Sequence, residues 1–138
     1  MLRRKAGRPR VLIVEDDEAI VRMLCMSLGK EFELERAGSG KEALAAMDEG
    51  DFDAVVLDLG LPDNLGGDVL RRLQADGRPP VWVVMSALDG YEAVRRFGPL
   101  KGPFLPKPFD PWDLTRLLDR LLGRGPGATE RQLGTAAS

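Results

Sequence analysis

Short apolar runs that each end abruptly in a polar residue, alternating with segments of helical periodicity, constrain this chain more than any other feature. VLIV (11–14), DAVVL (53–57) and PVWVVM (80–85) are continuous and rich in β-branched residues, the pattern of strands covered on both faces. FELERA (32–37) alternates as another strand, and residues 103–106 predict a last one. Pro106 lacks a ladder donor, which assigns that strand to a sheet edge. Between the strands, apolar residues recur at helical spacing: Ile20, Val21, Leu24 and Leu28; Ala43, Leu44 and Met47; Val69, Leu70 and Leu73; and Leu114, Leu117, Leu118, Leu121 and Leu122. Residues 89–97 predict a short helix with Tyr91 and Val94 inward, then irregular backbone through Gly98, Pro99 and Pro103. Repeated strand–helix alternation predicts an α/β, doubly wound, five-stranded parallel sheet with right-handed crossovers and helices on both faces. Ligands of such sheets bind outside the carboxyl ends of the strands, at a topological switch point.

Local punctuation agrees. SGKE (39–42) matches a capping box around Ser39 and Glu42, and Asp110 with Pro111 predicts an N-cap and first helical position. Gly29 and Gly123 stand where helix ends belong. Cys25, four residues after Val21, is expected to be a buried hydrophobe, and as the single cysteine it forms no internal disulfide.

A chain of 138 residues holds one ordinary domain, expected over 10–122 between flexible tails at 1–9 and 123–138. No window reaches the roughly 18 apolar residues of a membrane span, so a cytoplasmic protein without membrane contact is expected. The absence of histidine removes the commonest metal ligand and general base, leaving chemistry to carboxylates, Lys, Ser and backbone. MLRRKAGRPR holds five Arg or Lys and no acid, against a whole-chain net charge of −2. It reads as a solvated arm, and nucleic acid is not an expected partner, although GRPR could enter a minor groove.

The polar residues that end the strands are the candidate site: Glu15, Asp16 and Asp17 after the first, Asp58 after the third, Ser86 after the fourth and Lys107 after the fifth. Crowded carboxylates repel by about 4 kcal/mol per pair at roughly 4 Å and an effective dielectric of about 20. Summed, that rivals a domain's stability of about 5–15 kcal/mol. Separation, protonation or a cation must relieve it. An all-oxygen cluster favours a hard ion that keeps some water, Mg²⁺ or else Mn²⁺. Mg²⁺ beside a Lys is also the equipment of phosphoryl transfer, with Asp58 as ligand, nucleophile or both.

IVEDDE, VVLDLGLPD, VMSA and FLPKPF, in this order and spacing, resemble the receiver domain of two-component response regulators of the chemotaxis-regulator type, over residues 10–122. The resemblance implies the flavodoxin-like receiver fold with strand order 2-1-3-4-5. It implies that Asp58 is the phosphoacceptor, taking a phosphoryl group from the phosphohistidine of a histidine kinase or histidine phosphotransfer protein. Asp16 and Asp58 would bind Mg²⁺ directly, Glu15 through water, and Gly60 through its carbonyl, with its freedom turning the chain. Lys107, on a cis Lys107-Pro108 bond, would pair with phosphoryl oxygens; Ser86 and the Ala87 N–H would hydrogen-bond them; Ser86 and Phe104 would form the switch. The chain would then be a phosphorylated signalling domain that assists its own phosphoryl transfer and dephosphorylation, not a free-standing enzyme, and would signal by docking on a downstream protein.

Three departures carry expectations. Leu65 replaces the usual acidic residue before Gly66-Gly67, which predicts a looser loop; FGPLKGPF replaces a more helical approach to the fifth strand; and Gly60 and Leu88 replace polar residues able to orient water, which predicts slow dephosphorylation. A Mg²⁺-dependent aspartyl-nucleophile phosphatase of the haloacid dehalogenase type wants a second Asp where Gly60 stands. A flavodoxin-like cofactor binder wants phosphate-holding donors where EDDE would repel one. A receiver cut from a longer hybrid kinase or transcription regulator is the remaining alternative.

Overall fold

The structure, a computed structural model, describes residues 7–76 and 80–124. Its elements alternate: β1 (Arg10–Val14), α1 (Glu18–Leu28), β2 (Glu33–Ala37), α2 (Gly40–Glu49), β3 (Ala54–Asp58), α3 (Gly66–Asp76), β4 (Val81–Ser86), α4 (Gly90–Phe97), β5 (Phe104–Pro106) and α5 (Pro111–Leu121). The strands form one parallel sheet in the order β2-β1-β3-β4-β5. The expected architecture is thus observed, with Pro106 on the edge strand. The chain leaves β1 for β2 on one side and β3 lies on the other, so the switch point falls between the carboxyl ends of β1 and β3.

Alternate strand residues feed two buried clusters. Leu12, Val14, Val55, Leu57 and Val84 meet Ala43 of α2, Val69, Leu70 and Leu73 of α3, and Ala93 of α4. Val11, Ile13, Val56, Val83 and Met85 meet Leu24 and Leu28 of α1 and Leu114 and Leu118 of α5. Every residue of β3 is buried, which is why its sequence is apolar without alternation until Asp58.

Two expectations about faces are corrected. Cys25 is exposed: Val21, Leu24 and Leu28 define the buried stripe of α1, and Cys25 lies about 100° round from Leu24, at its rim. Tyr91, 74% exposed, and Val94 face outward on α4. The helix instead seats the small Ala93 against the sheet and packs Phe97 on the core, where Gly67 lies against the Phe97 ring.

Caps follow the sequence closely. Ser39 Oγ accepts from the Glu42 N–H, while Glu42 Oε1 accepts from Gly38 N–H, one residue before the cap. Asp110 accepts from Trp112 N–H, with Pro111 at the start of α5. Residues 1–6 and 125–138 of the expected tails lie outside the described residues. Within the described part, the Pro9 carbonyl accepts from Glu33 N–H at 2.8 Å, and Arg8 donates to the Gly29 carbonyl at 3.0 Å. No helix among the described residues is long and apolar enough to cross a membrane.

Candidate functional site

Each candidate carboxylate arrives by a different local device. Glu15 follows β1 directly; its N–H donates to the Ala37 carbonyl of β2 at 3.0 Å, and its side chain is drawn under the loop, 1% exposed. Asp17 is the N-cap of α1, accepting from Ala19 and Ile20 N–H at 2.9 and 3.3 Å. With the capping position filled by Asp17, Asp16 faces the opening. Asp58 is the last residue of β3, 5% exposed, and its Oδ1 accepts from Gly60 N–H at 3.2 Å. Carboxylate oxygens of Glu15, Asp16 and Asp58 lie within 4.8 Å of one another.

Lys107, one residue beyond β5, is fixed through its N–H to the Ser86 carbonyl at 2.8 Å. Its ammonium reaches Glu15 Oε1 at 2.9 Å and Asp58 Oδ2 at 3.3 Å. The Lys107-Pro108 bond is cis. Burial raises the Glu15 pKa above its ordinary range; Lys107 pulls it back and the Asp58 charge adds to the rise. Burial works against the Lys107 ammonium, but Glu15 and Asp58 outweigh it, so its pKa is also raised.

One positive charge against three negative ones leaves the cluster anionic. Glu15 Oε1, shut off from solvent, has no hydrogen bond of regular geometry beyond its ammonium contact. An oxygen-only donor set at this spacing, with unmet acceptor capacity, fits a hard divalent cation.

An open pocket of about 370 Å³ joins these groups. Glu15, Asp16, Asp17, Asp58, Gly60, Ser86, Ala87 and Lys107 all line it, so of the residues singled out from sequence for the site every one but Phe104 meets there. Phe104 does not line it; partly buried, it packs on the core cluster that also holds Trp82 and Phe97. Ser86 Oγ accepts from Leu88 N–H at 3.0 Å, which leaves the hydroxyl proton available to a ligand. Gly60 has no positive φ, so the reading of its flexibility as necessary for the turn is corrected: another residue would fit that backbone.

Sequence reasoning missed Arg96 and Phe97, which reach the pocket rim from α4, and Asp63, which ties down the loop after Asp58. Asp63 accepts from Gly40, Lys41 and Leu65 N–H at 3.0, 2.9 and 3.3 Å, so the expected looseness around Leu65 is not found. Leu65 instead packs on α2 where a Cβ on Gly40 would stand 2.4 Å from the Leu65 Cβ. All of these depend on contacts between distant segments; the turn-forming run around Asp63 was the sole local signal.

Residues 11–119 match the family described as response regulator receiver domain. The DNA-binding response regulator MtrA of Mycolicibacterium paratuberculosis is 33% identical over 130 residues, which is 94% of this chain and 58% of MtrA. The transcriptional regulatory protein TcrA of Mycobacterium tuberculosis is 38% identical over 122 residues, covering 85% of this chain and 47% of TcrA. The chain therefore spans about half the length of these curated relatives. Among solved structures, the BeF3-activated receiver domain of DrrB, a Thermotoga maritima protein, superposes with a TM-score of 0.73 at 27% identity, covering 85% of this chain and 99% of that domain.

Proposed function

The chain belongs to the response regulator receiver family of two-component systems, and on that premise we propose that Asp58 is its phosphoacceptor. The observation that carries the reading is the placement of Asp58: nearly buried at the end of β3, 3.3 Å from Lys107 and grouped with Glu15 and Asp16 in an open pocket. An Asp58 oxygen attacks the phosphorus of a phosphohistidine on a histidine kinase or phosphotransfer protein. The O–P bond forms as the P–N bond breaks, and the electron pair leaves with the imidazole, neutral when its other nitrogen carries a proton.

Asp16, Asp58 and the Gly60 carbonyl would hold Mg²⁺, with Glu15 acting through water. Bound there, Mg²⁺ neutralises charge on the transferring phosphoryl oxygens. Lys107 moves from its carboxylate partners to the phosphoryl oxygens, and the Ser86 hydroxyl and Ala87 N–H complete their coordination. Ser86 and Phe104, on neighbouring strands, bias a two-state surface read by a downstream protein. DNA binding is stated of MtrA, which extends well beyond the matched part; for this chain the proposed reader is a protein.

The test is direct. The chain and an Asp58→Asn variant are incubated with Mg²⁺ and a small-molecule phosphodonor, then weighed intact. The unaltered chain is expected to gain one phosphoryl group and the variant none; equal labelling overturns the assignment.

A further inference from the structure

The Asp16 carboxylate is exposed and has no hydrogen bond or ion pair among the described residues, so the positions open to it are bounded by the backbone that carries it. Three contacts fix that backbone from outside. One is the Glu15 N–H on the Ala37 carbonyl at 3.0 Å. The other two come from one side chain on the neighbouring strand: Arg36 Nε donates to the Glu15 carbonyl at 3.2 Å, and Arg36 Nη2 to the Asp16 carbonyl at 3.3 Å. The third arm of the guanidinium, Nη1, meets Glu18 Oε2 at 2.8 Å.

We infer that Arg36 is a positioning residue for the divalent-cation site: its planar fork locks two consecutive peptide groups and thereby aims Asp16 and Glu15 at Asp58. The inference rests on the metal-dependent reading of the site given above. Its physical basis is the repulsion among three acids, which pushes the β1–α1 loop away from Asp58. A loop held through both carbonyl oxygens cannot turn its peptides to escape. β2 is well placed to supply the fork because Ile13 pairs with Arg36 and Val14 with Ala37, which sets Arg36 beside the end of β1. The arms differ in weight. Glu18 is 71% exposed in that ion pair, and exposed pairs contribute little. The two carbonyl contacts are therefore the functional ones, and a lysine, a single point donor, cannot reproduce them.

Mg²⁺ binding to the full chain is measured by calorimetry, together with the Mg²⁺ dependence of labelling by a small-molecule phosphodonor. Arg36→Ala and Arg36→Lys are expected to weaken Mg²⁺ binding about tenfold, the loss typical when a group supporting a metal ligand is removed. The labelling rate at saturating Mg²⁺ should stay within about twofold of the unaltered chain, which separates positioning from general damage. Glu18→Gln, which removes only the exposed ion pair, should bind Mg²⁺ normally. Should the alanine variant fail to fold, the lysine variant carries the test. Unchanged Mg²⁺ affinity in the folded Arg36 variants, or full restoration by lysine, overturns the inference while leaving the phosphoacceptor reading intact. If the unaltered chain neither binds Mg²⁺ nor is labelled at Asp58, it is the earlier reading that fails.

Discussion

A Cβ built on Gly60 would stand 3.9 Å from Asp58 Oδ1, an ordinary contact, and Gly60 has no positive φ. A side chain is therefore sterically allowed at a point facing Asp58, the proposed phosphoacceptor, and Leu88, also on the pocket wall, adds no polar group. Water attacking an aspartyl phosphate here would be oriented by neither residue, which predicts a long-lived phosphoryl group. Gly60→Asn, by supplying a carboxamide, should shorten its half-life about tenfold, as expected when a reacting water is better positioned. Loss of label after removing the phosphodonor measures this; a lifetime of only seconds in the unaltered chain would sink the idea. At this scale the sequence was most legible where position is set locally. Glu15, Asp58 and Lys107 are each delivered to the sheet's edge by the strand before them, so strand and register suffice to find them. Arg36, Arg96 and Asp63 act across the fold, and their roles come from approaches between segments far apart in the chain.

Asp63 shows what such an approach does to an element. The first turn of α2 has free N–H groups that its own cap only partly satisfies: Ser39 takes Glu42 N–H, and Asp63 takes Gly40 and Lys41 N–H from the β3–α3 connection. A carboxylate at a helix N-terminus is favoured by the helix dipole as well. The Lys41 N–H, foremost, holds the Asp63 pKa below its ordinary value of 3.8; desolvation opposes it, and the N–H groups of Gly40 and Leu65 add to the lowering. A depressed folded-state pKa contributes stability that is present above the unfolded value and lost as pH falls through the folded one. Asp63→Ala should therefore lower the melting temperature at pH 7 by roughly 4 °C, the scale of a lost helix cap. The difference should hold down to about pH 4 and shrink only below 3.8; a gap independent of pH through that window would show that the charge is not the cause. Elements themselves were legible wherever apolar spacing was unambiguous, as in α1 and α5. α4 was legible in extent but not in face, because Tyr91–Val94 and Ala93–Phe97 both fit helical spacing and only the packed structure selects the second pair.

Over the whole molecule, the sheet that assembles the site also prevents it from relaxing. Val14 and Leu57, which lead into Glu15 and Asp58, are paired in register and buried in one cluster, while Ile13 and Val56 are buried in the other. Spreading β1 from β3 to separate the acids would open both cores at once. Parallel strands keep a spacing of roughly 4.8 Å, so the acids at their ends stay crowded. Lys107 offsets only part of the charge. The proposed cation binding would then be linked to folding stability: a ligand bound by the folded state alone at about 100 times its dissociation constant adds about 2.7 kcal/mol. For a domain of this size that corresponds to a rise of roughly 10 °C in melting temperature. Thermal unfolding with excess chelator and with saturating Mg²⁺ should show this difference. Asp16→Asn removes one negative charge from an exposed position, so it should melt higher than the unaltered chain in chelator and lose most of the response to Mg²⁺. A variant that melts lower in chelator would mean that the acids are not in net repulsion, and an Mg²⁺ response surviving in Asp16→Asn would place the cation elsewhere on the molecule.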